Sequence, residues 1–175
     1  YGGISYQRLD NGEVLVWGLP IICLGITSIH HKEAFTRGNG RFFAVDFKEP
    51  AEMPDVEFPF ILTTGRLMFH YHTGTMTRKI PSLENEVSTG FMEINPQDAG
   101  RLGIGEGEKV VVRSRRGEIQ TSASITEKVA AGVVFIPFHF AESAANVLTS
   151  RALDSEAKIP ELKVCAVNIE KEDKP

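Results

Sequence analysis

Short apolar runs, and no long ones, limit what this chain can fold into. From residue 58 onward they recur at 58–64 (FPFILTT), 91–94 (FMEI), 109–114 (KVVVRS), 118–125 (EIQTSASI), 133–137 (VVFIP) and 164–169 (VCAVNI). Most are rich in Val, Ile, Phe or Thr and stand beside Gly, Pro or Asn, which is the signature of strands and turns. The unbroken valines at 110–112 call for cover on both faces, whereas 118–125 partly alternates, as a strand with one wet face does. Arg116-Gly117 between those two runs reads as a hairpin turn. One short helix is written in full: Asn95 caps it, Pro96 takes its first position and Gly103 ends it. Residues 141–148 have helical composition. Many short strands with few helices make a mainly β architecture, closed or sandwiched.

At 175 residues and 42% apolar, the chain has room for one core and an appendage. Its net charge of -4 argues against a general nucleic-acid binder. Cys23 and Cys165 form no C-x-x-C pair, so neither a zinc site nor an iron–sulfur cluster is encoded, and each reads as a buried thiol. No stretch reaches the ~18 apolar residues of a membrane span. The chain opens on Tyr1-Gly2-Gly3 without an initiator methionine, and an excised fragment is expected. Residues 1–55 read as an irregular approach segment, with a short strand at 14–17, a turn at Gly38-Asn39-Gly40 and a strand at 41–47. Trp17, Phe35, Phe42 and Phe43 are expected to pack on a neighbour. Residues 48–59 hold three prolines and four acids and read as a linker. The barrel-forming domain is placed at 56–170, with a charged, frayed tail after it.

No Asp or Glu occurs between Glu57 and Glu84, so the local field is positive while the whole chain is negative. Within that window Thr63-Thr64-Gly65-Arg66 is followed by His70, His72, Thr73, Thr75, Met76 and Thr77. Hydroxyls, imidazoles, a guanidinium and backbone N–H groups freed by glycine are what an anionic, hydrogen-bond-rich ligand requires. The stretch reads as the lip of a nucleotide-like cofactor site. Plainer readings stand beside it: Thr63 and Thr64 suit a strand end, Gly65 turns the chain, and the two histidines share one face of a strand.

The run TTGRLMFHYHTGTMTR at 63–78 resembles the start of the molybdopterin-dinucleotide-binding domain found at the C-terminus of molybdenum and tungsten oxidoreductases. It is most similar to that domain in the catalytic subunits of formate dehydrogenases. Four further blocks agree in order: FMEINPQDA at 91–99, SRRGEI at 114–119, FIPFHFAESAAN at 135–146 and KIPELKVCAV at 158–167. The resemblance covers residues 56–170, and extends more weakly to His31-Lys32 and residues 38–46. It implies a six-stranded double-psi β-barrel with short helices. It also implies a pair of molybdopterin guanine dinucleotides holding one molybdenum or tungsten, with any iron–sulfur cluster in domains outside this stretch.

The residues the resemblance assigns to the dinucleotide are Thr64, Gly65, Arg66, His70, His72, Thr73, Thr75, Met76 and Thr77, joined by His139, Asn146 and Lys163. Some family members carry an acid where this chain has Phe69. His139 also reads as a structural histidine bonded to backbone, and Lys163 as a solvated lysine; Arg113, Arg115 and Arg116 read as a solvated hairpin tip. Catalytic and metal-ligating residues are expected in preceding domains of the same catalytic subunit, with formate as substrate and separate electron-transfer subunits as partners. A cytoplasmic setting and an inactive isolated chain complete the expectation. The competing readings are the same domain of a nitrate reductase or formylmethanofuran dehydrogenase, and a double-psi-barrel interaction module like the N-domains of some ATPases. A self-processing decarboxylase of related fold would need a Gly-Ser pair, and the sequence has none.

Overall fold

A computed structural model describes residues 5–11 and 38–172. They fall in two compact units, Tyr1–Phe47 and Lys48–Pro175. In the first unit a single short helix, α1 (Tyr6–Asp10), is described. Residues 41–47 carry no strand ladder, and Phe42, Phe43, Val45 and Phe47 are exposed, so the strand expected there is not formed. The expected strand at 14–17, with Trp17, Cys23, His31 and Phe35, lies outside the described residues.

The second unit is built on six strands: β1 (Phe60–Gly65), β2 (Phe91–Ile94), β3 (Lys109–Ser114), β4 (Gly117–Ile125), β5 (Val133–Pro137) and β6 (Cys165–Lys171). They close in the order β1-β5-β2-β4-β3-β6. β1 runs parallel to β5 and β2 parallel to β4; the other four pairings are antiparallel. Adding three to each strand number maps this ring onto itself. Two three-stranded halves are therefore interlocked, which is the double-psi topology. Closure gives every strand two neighbours and leaves no edge to protect.

Alternate residues point inward, as the pleat requires. Phe60 and Leu62, Met92 and Ile94, Val110 and Val112, Val134 and Ile136, and Val167 and Ile169 fill the barrel and are almost wholly buried. Each such side chain contributes roughly 1.5–3 kcal/mol by leaving water. Of the three valines in β3 the middle one, Val111, is only half-buried, so its outer face is partly wet.

Two further helices belong to this unit, α2 (Pro81–Glu84) and α3 (Pro96–Leu102). The α3 signals act as written. Asn95 Oδ1 accepts from Gln97 N at 3.0 Å, Asn95 Nδ2 donates to Val129 O at 2.9 Å, and Gly103 ends the helix in the left-handed region. Buried Asp98 accepts from Gly132 N at 2.6 Å and from Arg101. The helix is thereby tied to the turn that feeds β5.

Five expectations are corrected. β1 begins at Phe60 and not at residue 58, because Asp55 accepts from the amides of Glu57 and Phe58 and holds that stretch in a turn. Residues 141–148 do not make one helix; two 3-10 turns, Ala141–Ser143 and Ala145–Val147, are broken at Ala144, where ψ is 84°. β6 runs on through Glu170 and Lys171, which pair with Val111 and Val110, so the tail is not frayed there. The hairpin-tip arginines are anchored. Arg115 meets Glu52 at 2.6 Å, pairs with Asp55 and lies over the Phe58 ring; Arg116 meets Glu52 at 2.7 Å. Residues 48–59 are thus docked on the barrel and do not hang as a free linker. Among the described residues no helix is long and apolar enough to cross a membrane.

Candidate functional site

Strand direction decides where chemistry can gather. β1 and β5 are parallel, so Gly65 and Pro137 leave the barrel at one mouth. β6 and β2 run against them and enter there, and the β3–β4 hairpin turns there as well. Residues 66–90, 115–116 and 138–164 therefore crowd a single mouth. The opposite mouth carries α3 and short turns.

A cleft of about 530 Å³ opens at the crowded mouth, lined by Arg66, His72, Thr73, Phe138, Asn146, Leu162 and Lys163. That is the size range of small-ligand and cofactor pockets. No acid lines it. The Arg66 guanidinium sits about equally between the Tyr71 and Phe138 rings, 5.9 and 6.0 Å from their centroids. It has no carboxylate partner among the described residues, whereas Arg78, Arg101, Arg113, Arg115 and Arg116 each hold at least one. Lys163 donates one of its three N–H groups to the Thr64 carbonyl.

The sequence-named residues divide into three groups. Arg66, His72, Thr73, Asn146 and Lys163 line the cleft. Thr64, Gly65, His70, Thr77 and His139 stand behind it and build its wall. Thr64 is buried, and its hydroxyl donates to Leu162 O at 2.8 Å, tying β1 to the segment that carries Lys163. At Gly65 a Cβ would come within 2.6 Å of Phe135 Cε2; glycine is there because a ring occupies the side-chain position. His70 and His72 do not share a strand face, since residues 66–76 form turns. His70 is buried, whereas His72, at a φ of 51°, is exposed. Thr77 Oγ1 accepts from Tyr71 N at 3.1 Å and lies 3.2 Å from His70 Nδ1. Thr75 and Met76 are exposed and outside the cleft lining.

His139 is 2% exposed and bonded to backbone at both nitrogens, to Leu67 N at 2.7 Å and to the His72 carbonyl. Burial pushes its pKa below the usual histidine value; the His72 carbonyl opposes that, and nearby His70, Arg66 and His72 add to it. Arg78 ties the loop from outside, donating to Glu84, Glu142 and Ser88 O. Its hydrogen bond draws the Glu142 carboxyl below the usual range.

Sequence reasoning missed Phe138 and Leu162 as lining residues. Phe138 follows β5 directly, so the end of a predicted strand was the signal available for it; nothing local marked Leu162. The donor set suits a nucleotide-bearing cofactor: two cations, a threonine hydroxyl, an imidazole and an amide surround an apolar ring. Among the described residues no cluster of His, Cys, Asp or Glu could hold a metal ion.

The sequence pattern of the Molydopterin dinucleotide binding domain matches residues 60–166. The F420-dependent formate dehydrogenase subunit alpha of Methanocaldococcus jannaschii is 53% identical over 177 positions, covering 98% of this chain and 26% of that protein. The F420-dependent formate dehydrogenase 1 subunit alpha of Methanococcus maripaludis is 48% identical, with the same coverage. The chain thus spans about a quarter of the length of these relatives. Acetylene hydratase from Pelobacter acetylenicus shares the fold, with a TM-score of 0.62 at 19% identity over 72% of this chain and 21% of that one.

Proposed function

The chain belongs to the Molydopterin dinucleotide binding domain family, and on that premise we propose that its mouth cleft holds a molybdopterin guanine dinucleotide within the catalytic subunit of a formate dehydrogenase. One observation carries the proposal. Arg66, without a carboxylate partner among the described residues, converges with Lys163 and Asn146 on the Phe138 ring in an acid-free cleft.

Each residue has a physical task. Arg66 and Lys163 receive the pyrophosphate through charge-assisted hydrogen bonds. Thr73 and His72 supply further donors along that arm. The Asn146 amide, carrying both donors and acceptors, pairs with a ring edge. Phe138 and Leu162 exclude water beneath, which strengthens every polar contact above them. Thr64, Gly65, His70, Thr77 and His139 hold the wall in shape, and Thr75 and Met76 flank it. The bound group supplies two-electron redox chemistry at a dithiolene-held molybdenum or tungsten ion. The chain's own part is to bind and orient that group.

For the whole enzyme the reading is oxidation of formate to carbon dioxide, with electrons leaving through an iron–sulfur cluster in preceding domains. The two named relatives are F420-dependent, so coenzyme F420, reached through an electron-transfer subunit, is the proposed acceptor. The compartment proposed is the cytoplasm. The chain alone is expected to reduce no dye with formate.

The test is a titration of GDP into ¹⁵N-labelled chain, read by backbone amide shifts. Shifts confined to residues 64–77, Asn146 and Lys163 are expected. Arg66→Ala is expected to weaken binding about 10-fold or more, the loss of a hydrogen bond to a charged group. An unchanged spectrum at millimolar GDP, or an Arg66→Ala chain that binds as tightly, overturns the reading.

A further inference from the structure

His139 lines no part of the cleft, yet both its ring nitrogens grip the loop that forms it. A backbone amide can only donate, so the Leu67 N–H fixes His139 Nε2 as the acceptor. The proton must then sit on Nδ1, where it is donated to the His72 carbonyl. The two bonds reach both ends of the turn 67–72. Arg66 precedes that turn directly, and His72, in left-handed backbone, closes it.

A second imidazole braces the first in the opposite tautomer. His70 Nε2 donates to Val87 O at 2.7 Å, and its Nδ1 accepts from the Thr77 hydroxyl. The rings of His70 and His139 lie 5.6 Å apart. Gly74 completes the fit. Its φ is +74°, and a Cβ there would stand 3.2 Å from the His139 carbonyl oxygen and 2.9 Å from the Arg78 side chain.

We propose that His139 is a positioning residue: its neutral Nδ1–H tautomer clasps Leu67 and His72 and so sets Arg66, His72 and Thr73 in place along the cleft. This rests on the cofactor-cleft reading for its purpose, though not for its geometry. A proton added at Nε2 would set one N–H against the Leu67 N–H and release the clasp. Burial opposes that proton, and so does the Arg66 guanidinium nearby. Two acids at this mouth are engaged elsewhere. Glu84, 3.9 Å from His70 Nε2, and Glu142 are both held by Arg78, which lies 4.9 Å over the Phe140 ring.

The sign of a pH effect separates this role from direct contact. An imidazole touching the pyrophosphate binds it better when protonated. A clasp that must be neutral binds it worse. GDP-mannose is the suitable probe, because its pyrophosphate is a diester whose charge stays constant over the working range. His72→Asn removes the exposed imidazole at the cleft, so that His139 is read by itself.

The experiment takes the ¹⁵N-labelled chain with and without His72→Asn. It reads the His139 ring nitrogens, the Leu67 amide and GDP-mannose affinity as pH falls from neutrality. A proton on Nδ1 is expected at neutral pH, with a ring titration below the usual value near 6.5. The Leu67 amide should move with that titration and affinity should fall with it. His139→Ala is expected to weaken GDP-mannose about 10-fold and to speed Leu67 amide exchange by a similar factor, in line with a lost buried hydrogen bond. Amides of β3 and β4 should be unchanged. His139→Gln, which keeps one acceptor and one donor, should restore binding to within about 3-fold.

A proton on Nε2 at neutral pH overturns the proposal. So does affinity that rises as His139 protonates in the His72→Asn chain, or a His139→Ala chain that keeps Leu67 protected. Failure of the unsubstituted chain to bind GDP-mannose overturns the cofactor reading alone; the ring tautomer and Leu67 exchange then decide the clasp.

Discussion

Gly65 shows how much one hydrogen atom can matter at the residue scale. Its place in β1 leaves room for the edge of the Phe135 ring, and a methyl group would fall inside that ring's contact distance. Gly65→Ala is therefore expected to cost about 1–3 kcal/mol by overpacking, read as a lower urea midpoint, with shifted Phe135 ring signals. An unchanged midpoint would show that the ring swings away freely. From sequence Gly65 read as a turn or as a source of free amides; its neighbour across the sheet, Phe135, lies too far along the chain to be seen. Local chemistry was legible. Asn95, Pro96 and Gly103 define α3 because each acts within a few residues of itself. The role of His139 was open for the opposite reason: its partners Leu67 and His72 lie 72 and 67 residues away.

At the scale of elements, the strands followed their pattern and the segments that dock on them did not. β2, β3 and β5 begin and end where the apolar runs do. Residues 141–148 are rich in small helix formers, yet Arg116 Nε holds Leu148 O at 2.9 Å and Ser143 packs against Gly90. Tertiary anchors thus override propensity and bend the segment at Ala144. The same arginine pairs with Glu52, whose side chain is 12% exposed. Arg116→Ala removes one of the two arginines on Glu52, leaving Arg115, and frees the turn that carries Asn146. The expected cost is about 2 kcal/mol, below the range for a fully buried pair because both groups keep some solvent. Denaturant titration measures it, and faster exchange at Asn146 should accompany it. Stability within a few tenths of wild type would mean that the docked segment adds nothing.

For the whole molecule, stability should form a plateau in pH with two sloping sides. On the acid side, folding holds His139 below its usual value, so the unfolded chain binds the extra proton first. Its contribution is complete above the usual histidine value and is lost as pH falls through the folded one. Glu142, drawn down by Arg78, adds a second loss below the ordinary carboxylate range. On the alkaline side, burial raises Cys165 from 9.0 to about 11. Its contribution is present below 9.0 and is lost on the way to about 11, a loss on the order of 2 kcal/mol. Urea midpoints across pH should show both slopes. Cys165→Ala should flatten the alkaline one and His139→Gln the first part of the acid one; slopes that survive those substitutions would refute the assignments. The two-fold repeat of the barrel was invisible in the sequence, which shows no internal repeat, because the halves match in strand direction and not in side chains. Its closure was expected from the family resemblance alone.

Strand order also sets a timetable. β1, the first strand made, pairs with β5 and β6, and β6 is the last of the six. During synthesis β1 waits without its second neighbour until residue 165 has left the ribosome. Thr64 waits equally long for Leu162 and Lys163. The wall of the cleft is thus among the last parts of the domain to come into being. Until residue 165 has emerged, a growing chain offers any ligand at this mouth only a half-built wall.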